Sequence, residues 1–144
     1  MIAVDPVLFS SLDPPRLAGS CCASCGTVSF PAQAGCAKCT GTDLARIELA
    51  DRGTLWTWTI QAFEPKAPYR VPAGGFTPYG VGYVELAALA SGAAAVLVES
   101  RLTIADPGQL HIGGEMELVI VPFRQHADGS ELVTFAFRPA SRTT

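Results

Sequence analysis

Hydrophobic and polar positions alternate along most of this chain with a period of two, which predicts strands rather than helices. From Leu44 to Ala50, Ala45, Ile47 and Leu49 fall on one side, and Arg46 and Glu48 on the other. Asp51-Arg52-Gly53 reads as a turn. Thr54 to Phe63 carries the longest strand signal, with Trp56, Trp58, Ile60 and Ala62 on one face and Leu55, Thr57, Thr59 and Gln61 on the other. Further strands are expected over Val81 to Leu86, Ala94 to Leu102, Glu115 to Phe123 and Glu131 to Phe137. An Ala/Gly/Ser turn, Gly113-Gly114 and Asp128-Gly129 separate the last four, and Asp-Gly is a hairpin signal. Helix signals are brief. Val4 to Leu12 has Asp5 as N-cap and Pro6 at its first position, and Asp13-Pro14-Pro15 ends it. Ile104 to Gly108 predicts a helical turn.

Between the second and third of these strands runs a loop, Glu64 to Gly80, with four prolines, three glycines and three aromatics. Loops this long are uncommon in compact domains unless they are functional or disordered, and the aromatics argue for order. About six strands, one long loop and almost no helix predict a small closed β-barrel. A five-stranded OB-type Greek key fits the length best. An SH3-like barrel or a small sandwich is the alternative.

The 144 residues suffice for one modest core plus a small module. Charged residues make up only 16% of the chain, against a usual ~25%. So little charge on a small domain points to a surface covered by another protein. The net charge of −3 argues against nucleic acid as the main partner, because phosphate sites need clustered cations. The start, Met1-Ile2-Ala3-Val4-Asp5-Pro6, lacks the basic region and long apolar run of a signal peptide. The run from Leu86 to Val98 is too short to span a bilayer. The expected location is therefore cytoplasmic.

The cysteines change the picture at the N-terminal end. Cys22-Ala-Ser-Cys25-Gly26 and Cys36-Ala-Lys-Cys39-Thr-Gly41 are two C-x2-C pairs ten residues apart. Two such turns, brought together by a short hairpin, aim four thiolates at one point, the closed tetrahedral geometry of structural Zn²⁺. Cys22, Cys25, Cys36 and Cys39 are the expected ligands. Gly26 and Gly41 follow the pairs where positive φ is expected. Thr27 to Pro31 reads as the strand between the knuckles, and Cys21 as a spare thiol. The resulting plan is an arm over 1–16, a ribbon over 17–43, a barrel over 44–139 and a tail over 140–144.

No catalytic set stands out. His111 and His126 lie near no nucleophile in sequence, and Glu115 and Glu117 read as a solvated strand face. A closed four-thiolate site leaves no position for Lewis-acid chemistry. The chain reads as a non-catalytic module.

Gly19 to Gly26, Phe30-Pro31, Cys36 to Cys39, Gly53 to Thr59, Pro78 to Leu86, His111 to Leu118 and Phe135 to Pro139 together resemble a known family. It is the acyl-CoA-associated zinc-ribbon/OB-fold family, long catalogued as a domain of unknown function. The resemblance implies a rubredoxin-like zinc ribbon followed by an OB barrel. It also implies an accessory subunit beside a thiolase, a lipid-transfer-type steroid side-chain aldolase or an enoyl-CoA hydratase. In such complexes the partner carries the catalytic residues, and this subunit helps complete the acyl-CoA channel. On that reading Lys66 and Arg70 would lie near coenzyme A phosphates, with Tyr69, Phe76 and Tyr79 as contact aromatics. The family often has a basic residue where Cys21 stands and a longer N-terminal helix than Met1 to Asp13 can give. Two other readings compete: a nucleic-acid-binding module stacking bases on Trp56 and Trp58, and iron-based electron transfer in the four-cysteine site.

Overall fold

The computed structural model describes residues 2–68, 71, 74–88, 95–125 and 127–140. Among these, nine strands follow in chain order. They are β1 (Ile2–Ala3), β2 (Phe9–Leu12), β3 (Pro15–Cys22), β4 (Val28–Ser29), β5 (Leu44–Gln61), β6 (Tyr79–Ala88), β7 (Val96–Leu102), β8 (Glu115–Gln125) and β9 (Glu131–Pro139). Two single turns of 3₁₀-helix, Pro6–Leu8 and Pro107–Gln109, are the helical elements.

Five strands close into a barrel. β5 pairs with β6, β6 with β7, β7 with β9, β9 with β8, and β8 returns to β5. Every junction is antiparallel except β7–β9, which is parallel where Leu102 meets Phe137. That is the ring of an OB-type barrel. Leu49, Leu55, Val84, Leu86, Val98, Leu102, Met116, Leu118 and Phe137 fill its interior.

The ring has one strand fewer than the alternation predicts, because Asp51-Arg52-Gly53 is not a turn. It lies inside β5, and Gly53 pairs with Leu86 on one side and Met116 on the other. A turn signal is overridden when both edges of the backbone find partners. The register shifts between Leu49 and Gly53, so the strand bends where a turn was expected. A second shift between Leu55 and Thr57 leaves Trp56 as an extra residue. Beyond it the inward and outward faces exchange. Leu55 is fully buried and Trp58 and Ile60 pack partly against the core, while Trp56 is exposed. The expected single face of Trp56, Trp58, Ile60 and Ala62 is thereby split.

The N-terminal helix is also shorter than expected. Asp5 does cap it, accepting from the Val7 N–H at 3.3 Å, but only Pro6–Leu8 turns. Phe9–Leu12 instead pairs with β3, burying Phe9. A helix through Leu12 would forgo that pairing, and the segment is too short to be stable alone. The helical turn predicted over Ile104 to Gly108 forms slightly later, at Pro107–Gln109, with Asp106 as its cap.

One strand serves two modules. The first half of β5 pairs with β3, from Cys22 opposite Leu44 to Ala18 opposite Glu48, and β3 in turn pairs with β4. The second half belongs to the barrel. Phe30 and Phe9 both meet Phe135 of β9 edge-on, with ring centroids 5.7 and 6.3 Å apart, so aromatic packing closes the same junction. Among the described residues no helix is long and apolar enough to cross a membrane.

Candidate metal centre

The four predicted cysteines converge. Cys22 ends β3, and the Sγ atoms of Cys22, Cys25, Cys36 and Cys39 all lie within 4.8 Å of one another. The Cys22–Cys39 and Cys25–Cys36 sulfurs are 3.5 and 3.6 Å apart. A tetrahedron with metal–sulfur bonds of ~2.3 Å has edges of about 3.8 Å, so the donor set fits a Zn²⁺-sized ion.

The two knuckles repeat one hydrogen-bond pattern. The Cys22 N–H donates to the Thr27 carbonyl and the Gly26 N–H to the Cys22 carbonyl, at 2.9 and 2.8 Å. Likewise the Cys36 N–H donates to the Gly41 carbonyl and the Thr40 N–H to the Cys36 carbonyl, at 2.8 and 2.9 Å. Each turn closes through a left-handed residue right after its second cysteine. In the first this is Gly26, φ 76°, as expected. In the second it is Thr40, φ 62°, and not Gly41. Gly41 is small for another reason: a Cβ there would sit 3.3 Å from the Cys39 sulfur and 3.7 Å from that of Cys22.

Electrostatics favour a cation at the centre. The Thr27 hydroxyl and N–H pull the Cys25 thiol down to about 6. Backbone N–H groups of Cys39 and Lys38 lower Cys36 as well. Cys39 is held down by the Gly41 N–H, yet the sulfurs of Cys22 and Cys25 outweigh it and push Cys39 up to about 12. Four sulfurs this close resist ionising together, and a divalent ion among them removes that repulsion. Cys21 stays outside the cluster, half-buried, with its sulfur 3.8 Å from the Gly26 carbonyl.

The loop expected over Glu64 to Gly80 ends earlier, because Tyr79 and Gly80 pair with Gln61 and Ile60 and open β6, and the residues expected to form its site are only partly gathered. Phe76 meets Tyr79 edge-on at 6.2 Å, and the Arg101 guanidinium lies 3.4 Å over the Tyr79 ring. Lys66 is exposed. Tyr69 and Arg70 lie outside the described residues, as do His126 and the tail over 141–144. Sequence reasoning missed Arg101, because an outward arginine on an alternating strand carries no signal of the ring beneath it.

The carboxylates Glu115 and Glu117 are not a plain solvated face. Arg52 reaches both, at 3.0 and 3.2 Å, and Arg138 holds Glu117 at 2.6 Å. Glu117 is thus committed to a ladder across β5, β8 and β9. His111 sits in an exposed turn, where its carbonyl accepts from the Gly114 N–H.

Comparison with known proteins agrees with this architecture. Residues 9–45 match the ChsH2 rubredoxin-like zinc ribbon domain, and residues 46–121 the ChsH2 C-terminal OB-fold domain. The chain belongs to the ChsH2 (DUF35) family. Among its relatives is the benzoylsuccinyl-CoA thiolase subunit BbsA of Thauera aromatica, 29% identical over 86% of this chain and 76% of that protein. A DUF35 domain-containing scaffold protein of Methanothermobacter thermautotrophicus is 30% identical over 86% of each chain. The solved Ltp2–ChsH2(DUF35) aldolase shares the fold, with a TM-score of 0.58 over 97% of this chain and 98% of that one, at 23% identity.

Proposed function

We propose that this protein is a non-catalytic, zinc-holding accessory subunit of a thiolase-superfamily complex acting on acyl-CoA. The observation that carries this reading is the match, over most of both chains, to a protein named as a thiolase subunit. The shared name of scaffold among other relatives supports a structural role. Cys22, Cys25, Cys36 and Cys39 hold the ion, which supplies positive charge and a fixed geometry to the ribbon. The partner contributes the catalytic residues. The loop after β5 borders the acyl-CoA channel, with Lys66 and Arg70 toward phosphate and Tyr69, Phe76 and Tyr79 toward the partner or substrate.

The test is reconstitution. Native complex is purified on the tagged chain, its thiolase-fold subunit is identified by mass spectrometry, and the two are combined as pure proteins. Acyl-CoA turnover should require both. Replacing Lys66 and Arg70 together by Ala should lower turnover or complex yield. A thiolase-fold protein fully active alone, or a chain that never associates with one, overturns the proposal.

A further inference from the structure

Outward positions on β6 and β7 pair directly: Val81 with Arg101, Tyr83 with Glu99, and Glu85 with Leu97. On the other side of β6, Thr57 of β5 stands opposite Tyr83. The extra residue of the β5 bulge, Trp56, therefore emerges beside Tyr83. Across β5, the turn after His111 is tied to Leu55. The Gly113 N–H donates to the Leu55 carbonyl, and the Leu55 N–H to the Gly114 carbonyl. That sets Ile112 next to the same bulge. Four large apolar side chains thus share one face, with exposures of 56% for Trp56, 72% for Ile112, 40% for Tyr83 and 37% for Leu97.

We infer that this bulge-centred face, apolar with an acidic border, is where the catalytic subunit of the complex docks, presenting an apolar centre rimmed by its own basic residues. The inference rests on the reading above and adds the surface. Exposed tryptophan and tyrosine at the centre of a patch are the side chains that dominate interface energies. The rim chooses among occupants. Glu85 and Glu99 are exposed on this face, whereas Arg101 of β7 is folded over Tyr79 and Arg52, further back along β5, is paired with Glu115 and Glu117. The face is therefore apolar with an acidic border. A second copy would bring Glu85 and Glu99 against their own kind across a twofold axis, and a nucleic acid would meet carboxylates. A partner with Lys or Arg around an apolar centre satisfies both parts. The bulge itself is suited to the task, because it leaves Trp56 outside the pairing and exposed between Leu55 and Trp58, which both face the core.

The test measures binding of the purified chain to the thiolase-fold subunit recovered from the native complex. Trp56→Ala with Ile112→Lys should raise Kd roughly thirtyfold or more, the loss expected at an interface centre. Glu85→Lys with Glu99→Lys should weaken binding and make it strengthen, rather than weaken, with added salt. Val7→Ser, an exposed apolar residue on the N-terminal turn, should leave Kd unchanged. Circular dichroism and zinc content show that each variant is folded. A complex whose Kd ignores the patch variants, or a wild-type homodimer in which Trp56 is shielded, overturns the surface assignment alone. Absence of any complex with a thiolase-fold protein overturns both this inference and the function on which it rests.

Discussion

Gly53 and Gly82 set how closely the barrel strands approach, and a side chain at either would strike backbone. A Cβ at Gly53 would collide with the Glu85 carbonyl and with Leu86, and one at Gly82 would lie 2.8 Å from the Thr57 carbonyl. Backbone cannot swing aside as a flexible side chain can. Gly53→Ala is therefore expected to destabilise by about 1–3 kcal/mol, the usual range for overpacking, read as a lower urea midpoint. The opposite sign is expected at Thr40. A β-branched residue at φ 62° carries steric strain of about 1–2 kcal/mol, only part of which glycine forfeits to its freer unfolded state. The Thr40 hydroxyl also donates to the Cys39 carbonyl at 2.6 Å, which offsets some of that strain. Thr40→Gly should thus stabilise by up to about 1 kcal/mol, visible as slower zinc transfer to a competing chelator. Gly26→Ala, which introduces the same strain in the first knuckle, should do the reverse.

The elements that sequence made legible are those fixed by local chemistry. Two C-x2-C pairs announce their own geometry, and Asp5-Pro6 starts a turn whatever follows. In β6 and β7 inward and outward positions alternate strictly, with Val84, Leu86, Val98 and Leu102 buried and Tyr83, Glu85, Leu97 and Glu99 exposed, whereas β9 buries the adjacent pairs Leu132-Val133 and Ala136-Phe137. β5 is not legible at Arg52 and at Trp56 for one reason: bulges are set by which partners lie on each side, and a single strand does not carry that information. The same partners explain Glu117. Arg52 and Arg138 stand opposite it on neighbouring strands, and its side chain is only 14% exposed, whereas Glu115 is 61% exposed. Ion pairs at the surface are worth up to about 1 kcal/mol, and the less solvated carboxylate with two arginines should hold the larger share. Glu117→Gln is expected to cost more than Glu115→Gln in thermal unfolding, with the difference shrinking at high salt. A reconstituted complex should keep its turnover in both variants, as fits a ladder that is structural and not catalytic.

At the scale of the molecule the question is how far the metal's influence reaches. β5 runs from the ribbon into the barrel without a break, and Phe30 leans on Phe135 at the same junction. The ribbon has few apolar residues of its own: Leu17, Val28 and Ile47 pack on the shared core, and Cys22 and Cys36 are buried against their own site. Without an ion, a segment this small cannot offset the entropy of ordering two knuckles, and structural zinc contributes apparent binding energies on the order of 10 kcal/mol. The barrel has a closed ring and its own interior. Chelation should therefore strip hydrogen-exchange protection from the amides of Cys22, Gly26, Cys36 and Thr40 first. Loss should spread along β5 to about the bulge near Gly53, while Val84, Val98 and Phe137 stay protected. Lowering the pH should act in the same order, because protons compete with the ion for thiolates and metal is released as pH falls. Exchange measured by mass spectrometry, with a zinc-sensitive dye reporting release, would show ribbon loss and metal loss at one midpoint and barrel opening at another. A single transition for both would mean that β5 carries the ribbon's stability through the whole barrel.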